Sequence, residues 1–200
     1  MSLLIQLEEL QWKQLQHDEK YHKEIWILNV QQRITHMVLH LSKYSAKLTL
    51  SALEHNIEEL RKATIDSLII VTSSTNIFNK LLSDISIEES EKTLPCINTL
   101  AAKLLKEEKF DGYEPNISMA IKINSLTGKM CKAVESLDHL EAYPFKEVIL
   151  SSLASIFRIL LALACHLKVE DIETPIGDRL YSVEKNNIFF NRLGNYKSGY

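Results

Sequence analysis

The residues of this chain best suited to chemistry form a basic stripe. Arg33, His36, His40, Lys43 and Lys47 recur at i, i+3, i+7, i+10 and i+14, which puts all five on one face of a helix. Met37, Val38, Leu41, Tyr44 and Leu48 occupy the other side. Stacked cations on one face suit a phosphate group or an acidic partner. Lys122, Lys129 and Lys132 partly echo the pattern later in the chain. Two readings stand: a solvated basic face, or an anion site built from His36, His40, Lys43, Lys47, Lys122 and Lys129.

Other local patterns carry less. His36 and His40 have the i, i+4 spacing of a metal-binding pair, but the sequence suggests no third ligand and the neighbouring cations oppose a divalent ion. Glu19-Lys20-Tyr21-His22 matches the Glu-x-x-His motif of di-iron bundles, which need it twice; it occurs once here, in a polar segment. His17-Asp18 has the form of a phosphohydrolase metal-binding pair without its partners. No glycine-rich phosphate loop and no G-x-S-x-G elbow is present. Cys131 and Cys165 lie among apolar residues and read as small hydrophobes rather than nucleophiles. Asp66 and Glu147 are acids beside apolar runs, a position that solvent-facing and helix-boundary acids also occupy.

The elements that position these residues read as helices throughout. Hydrophobic residues at 46% and charged residues at 24% fit a globular chain and exclude a disordered one. Five glycines and four prolines are too few for the turns of a β-rich protein. Apolar periodicity predicts a first helix from Leu3, a polar break at His17-Asp18-Glu19-Lys20, a long region from Ile25 to Leu53, and a third helix over 57–82. After Pro95 come a short helix, a long one following Pro115, another from Pro144 to about Leu167, and a short one near Asp178 to Asn187. A net charge of −3 does not imply a nucleic-acid partner by bulk attraction; only a local basic patch could hold one. Three cysteines without C-x-x-C spacing indicate neither a disulfide framework nor a zinc knuckle, and fit a reduced, cytoplasmic compartment. The first residues turn acidic before a signal-peptide core forms, so none is expected. The most apolar stretch, Ile149 to Leu167, carries Arg158 and His166 and reads as a buried helix rather than a membrane span.

This order of elements looks like one pattern written twice. Ser45-Ala46-Lys47-Leu48 superposes on Thr127-Gly128-Lys129-Met130 with an offset of 129 − 47 = 82. Leu53-Glu54-His55 superposes on Leu137-Asp138-His139 with an offset of 139 − 55 = 84. Asp18-Glu19-Lys20-Tyr21 also matches Glu107-Glu108-Lys109-Phe110 in character. The expected organisation is therefore an all-α helical bundle of two similar halves, 1–83 and 95–190, forming a pseudo-dimer. A linker over 84–94 joins them, and a polar tail follows over 191–200.

With that layout the chain resembles the all-α nucleoside triphosphate pyrophosphatases of the MazG-like superfamily. The family carries Glu-Glu-x-x-Glu on one helix and Glu-x-x-Asp on the next, and these acids hold the Mg²⁺ that positions the triphosphate. Lys43-Tyr44-Ser45-Ala46-Lys47-Leu48 and Ser125-Leu126-Thr127-Gly128-Lys129-Met130 stand where the first motif would fall, with lysine in place of the expected glutamate in both. For the second motif, Ala63-x-x-Asp66 keeps only the aspartate and Glu147-x-x-Leu150 only the glutamate. His166 to Asp171, with Arg179-Leu180 and Glu184-Lys185-Asn186, is similar to the family's closing stretch. The resemblance covers residues 24–83 and 113–190. It implies a nucleotide or other phosphorylated ligand, Mg²⁺ only where hydrolysis is retained, and Asp66 and Glu147 as remnants of a metal site. It also implies a duplicated chain imitating a homodimer. The lysines oppose Mg²⁺, so the expectation is a relative with weak or absent hydrolysis, the alternative being a non-enzymatic helical adaptor for a protein partner.

Overall fold

The structure is a computed structural model that describes residues 2–186, and every regular element among them is a helix. In chain order these are α1 (Leu3–Tyr21), α2 (Lys23–Trp26), α3 (Val30–Leu53), α4 (Ile57–Ile77) and α5 (Leu82–Ser86). A 3-10 turn (Glu89–Glu91) comes next, then α6 (Ile97–Glu107), α7 (Pro115–Asp138), α8 (Phe145–His166) and α9 (Glu173–Asn186). The all-α expectation holds. The tail expected over 191–200 lies outside the described residues, as does the last part of the second half.

Local chemistry sets several helix ends. Asn29 opens α3 with a reciprocal cap: its side chain accepts from the Gln32 amide at 2.9 Å while Gln32 Oε1 accepts from the Asn29 amide at 3.2 Å. Asn56 caps α4 by accepting from the Glu59 amide at 3.1 Å, and Glu58 and Glu59 place negative charge against the positive end of the helix dipole. Pro115 starts α7, where its missing N–H costs nothing.

Four long helices make the centre of the bundle. Helix α3 packs on α4 and α7, and α8 packs on α7 and α4. Outside them, α1 lies on α4 and α6 on α8. Helix α8 is the hub, with Leu160, Leu161, Ala162, Leu163 and Ala164 consecutively buried, so that stretch of it is enclosed on all sides. It is long and apolar enough to cross a membrane by length and composition, yet most of that stretch is buried inside the protein. Helix α4 is buried differently. Its Thr64, Ser67, Thr72, Ser74 and Thr75 hydroxyls each donate to the carbonyl one turn earlier, at 2.6–2.9 Å, which satisfies them without any outside partner.

The two halves share their helix endings. His55 after α3 and Leu140 after α7 take left-handed backbone, φ 55° and 54°. The next amides, of Asn56 and Glu141, donate back to the Ser51 and Ser136 carbonyls at 2.9 and 3.0 Å. These ends coincide at an offset of 140 − 55 = 85. Helices α4 and α8 end alike at Asn79 and Lys168, an offset of 168 − 79 = 89, and there every buried residue of α8 falls on a buried residue of α4. Helix α5 follows α4 but packs on α8, while α9 follows α8 but packs on α4. The offsets of 82 and 84 expected from sequence matches differ from these, because short helical strings resemble one another at several registers.

Several expected boundaries also change. Helix α1 runs through the predicted break to Tyr21, with His17 buried at 7% exposure. Its polar side chains meet polar partners: Asp18 accepts from Ser73 Oγ at 2.6 Å, and Gln11 donates to Asn76 at 2.9 Å and to the Lys80 carbonyl at 3.0 Å. The region from Ile25 to Leu53 is interrupted between Trp26 and Val30. Helix α9 begins at Glu173, earlier than the expected Asp178. Residues 84–94, expected as a linker, carry most of α5 and the 3-10 turn, and Glu91 is fully buried there. One hydrophobic core runs from Leu3 to Ile176 across both halves.

Candidate ligand cavity

A cavity of about 270 Å³ opens between α1, α2, α3, α4 and α9. Leu15, Ile25, Met37, Ile69, Ile77 and Val183 supply apolar walls, among which a few polar groups converge. From α3 come Arg33, His36, His40 and Tyr44; from α4 come Asp66 and Ser73; from α9 comes Arg179. His17, Asp18 and His22 enter from the end of α1, and Trp26 from α2.

On α3 the rings form a ladder. His36 and His40 have centroids 5.5 Å apart, and His40 and Tyr44 5.4 Å. Burial, then the charges of Lys43 and His36, push His40 down to about 4, so its imidazole is neutral at pH 7. Burial and the neighbouring Asp66 carboxylate push the Tyr44 phenol up. Asp66 is engaged by Arg179, whose Nε donates to Oδ1 at 2.5 Å and whose Nη2 reaches Oδ2 at 3.4 Å. That hydrogen bond holds the guanidinium above its ordinary value. Arg33 is the cation left over. Its guanidinium lies 5.0 Å from the Trp26 ring centroid, its Nε is buried without a hydrogen-bond partner, and it has no ion pair among the described residues.

The six residues expected as an anion site are divided by the fold. His36 and His40 line the cavity and the four lysines do not. Lys43 lies over the Tyr44 ring at 4.6 Å, and Lys47 pairs with Glu59 at 3.6 Å. On α7, Lys122 pairs with Glu108 at 2.6 Å and also donates to the Lys109 carbonyl, while Lys129 is exposed. The two acids expected as a metal remnant are also separated. Asp66 lines the cavity, whereas Glu147 is exposed in the first turn of α8 and is not part of that lining. At the offset of 89, Asp66 corresponds to Ser155 and Glu147 to Glu58, so the halves do not supply equivalent acids.

Sequence reasoning passes over Trp26 and Arg179 as cavity residues, names Arg33 only as part of the basic stripe, and sets aside the three residues at the end of α1. The local patterns His17-Asp18 and Glu-x-x-His22 are legible, but nothing in the chain order tells that α9 returns to cover them. Comparison with family models, with curated proteins and with solved structures finds no match for this chain.

Proposed function

We propose that the chain is a MazG-like, nucleotide-pyrophosphatase-fold protein that binds a phosphorylated small molecule and has weak or lost Mg²⁺-dependent hydrolysis. The observation that carries this reading is Arg33, a guanidinium with no ion pair among the described residues, whose buried Nε has no hydrogen-bond partner among them and which lies over the Trp26 ring at the apolar cavity. A ligand with a planar apolar part and an anionic group answers both features, because arginine binds phosphate oxygens through its planar fork. The acids support the loss of hydrolysis. Mg²⁺ needs clustered carboxylates, but Asp66 is engaged by Arg179 and Glu147 stands apart at an exposed helix start. The shared endings of α3 with α7 and α4 with α8 support an internal duplication folded as a pseudo-dimer.

Thermal denaturation against a panel of nucleoside triphosphates, with and without Mg²⁺, tests the reading. A ligand at about 100 times its Kd raises stability by roughly 2.7 kcal/mol, and the expected rise is independent of Mg²⁺. Arg33→Met removes the rise, whereas Lys122→Met and Lys129→Met keep it. No rise with any nucleotide ends the proposal, and a rise that needs Mg²⁺ and accompanies pyrophosphate release replaces it with an active hydrolase. The second reading, a helical adaptor, draws on exposed apolar side chains before and along α3, Ile27 at 83% and Leu39 at 64% exposure. It predicts a partner protein and no nucleotide response.

A further inference from the structure

We propose that His17, Asp18 and His22 form a binding site for a divalent first-row transition metal of the Zn²⁺ class at the edge of the cavity. One ligand atom from each of the three lies within 4.8 Å of the others. The inference goes beyond the nucleotide reading and does not depend on it.

His17 is the centre of the case. Its side chain is 5% exposed, and its Nε2 lies 3.3 Å from the Leu180 carbonyl of α9. A carbonyl only accepts, so Nε2 carries the hydrogen and donates it. In the neutral ring that leaves a bare lone pair on Nδ1, which is buried and has no hydrogen-bond partner among the described residues. Metal-bound histidines are commonly held this way, with the second ring nitrogen donating to a backbone carbonyl and fixing the tautomer.

Asp18 completes the requirement for a cation. Its Oδ1 stands 3.8 Å from His17 Nδ1, so a lone pair faces a carboxylate across a gap too long for a hydrogen bond. The carboxylate is itself oriented, accepting from Gln14 Nε2 at 2.8 Å on Oδ1 and from Ser73 Oγ at 2.6 Å on Oδ2. His22 ends α1 with φ −126° and ψ 45°, a break in helical backbone, and its ring centroid lies 5.6 Å from that of His17. Glu184 Oε1, 3.9 Å from His17 Nε2, adds negative charge on the α9 side.

Two imidazoles and one carboxylate suit Zn²⁺, Co²⁺ or Fe²⁺ rather than Mg²⁺ or Ca²⁺, which require more oxygen ligands. Bonds of about 2.1 Å in a tetrahedron put ligand atoms about 3.4 Å apart. The 4.8 Å limit means the ligands draw inward on binding, and half-buried His22, outside the regular helix, does so by loosening the 3.4 Å contact of its Nδ1 with Glu24 Oε1. All three residues line the cavity. A metal held by three protein ligands keeps its remaining position open.

The test uses the untagged full chain, stripped with a chelator and titrated with Co²⁺, then with competing Zn²⁺. One saturable Co²⁺ per chain is expected, with the visible ligand-field absorption of a tetrahedral or five-coordinate site. His22→Ala and Asp18→Asn each lower Zn²⁺ affinity by at least about tenfold, while His55→Ala, remote from the cavity, leaves it unchanged. Imidazole NMR signals of the unaltered protein give a readout independent of variant folding: Zn²⁺ shifts those of His17 and His22, with His17 ligated through Nδ1. Absence of saturable binding, undiminished affinity in both variants, or Zn²⁺-shifted signals confined to other histidines overturns the proposal.

Discussion

Arg158 closes on the fully buried carboxylate of Glu91 with two parallel hydrogen bonds, from Nη1 to Oε2 at 2.6 Å and from Nη2 to Oε1 at 3.0 Å. Lys103 adds a third at 2.7 Å, and the Glu88 amide a fourth at 2.9 Å. Arg158 also donates to the Ser86 carbonyl at 2.8 Å, so one side chain of the central helix pins α5 and the 3-10 turn against it. In the other half, Arg179 of α9 engages Asp66 of α4. The two trailing segments are thus each fastened to the other half's central helix by an ion pair, with the charges reversed.

Glu91→Leu strands the guanidinium of Arg158 against α8 without its partner. Removing one member of a buried pair costs about 3–5 kcal/mol, and the 22% exposure of Arg158 places the expected loss at the lower end. Urea denaturation measures it. A loss below about 1 kcal/mol would show that the pair positions the segment without stabilising it.

Acid weakens the fold in two stages. His40 titrates at about 4 in the native protein against an ordinary 6.5, because burial, Lys43 and His36 disfavour its charge. The unfolded chain therefore takes up a proton first, and stability falls as pH drops from 6.5 towards 4, by about 2 kcal/mol after allowance for the ring's partial exposure. Burial alone would push Glu91 up, but hydrogen bonds from Arg158, Lys103 and the Glu88 amide outweigh it and hold the carboxyl at about 2. Its contribution is complete above its ordinary 4.5 and is lost as pH falls from there through 2. Denaturation midpoints across this range should show both losses, and His40→Gln should flatten only the upper one.

Leu140 is 92% exposed and holds left-handed backbone at φ 54°, a conformation that costs a residue with a β-carbon roughly 1 kcal/mol. Leu140→Gly should stabilise the protein by about 0.5–1 kcal/mol, read as a higher melting temperature, with part of the relief offset by the greater freedom of glycine in the unfolded chain. A lower melting temperature would mean that the Leu140 side chain contributes a contact outweighing its backbone cost.

The helices were legible because their apolar spacing is a local property. Val38, Leu41, Tyr44 and Leu48, read as the side opposite the basic stripe, are all buried. The site was legible only in fragments. His36, His40 and Asp66 reach the cavity because each lies on a helix face that turns inward, but the lysines of the same stripe follow the helix twist out of it. The burial of Glu91 and of His17 was hidden by residue type. A charged or imidazole side chain reads as solvent-facing unless its partner is known, and the partners lie 67 residues away at Arg158 and 163 away at Leu180.

The sequence by itself determined an all-α chain, the approximate extent of its long helices, and which of their faces are apolar. Those follow from interactions between residues three or four apart and from caps such as Asn29 and Asn56. Only the tertiary structure decided which polar groups meet. It carried α9 back onto α4, engaged Asp66 with Arg179, left Arg33 without an ion pair among the described residues and set the bare Nδ1 of His17 beside Asp18. Such pairings depend on distances between segments far apart in the chain, and no local spacing encodes them.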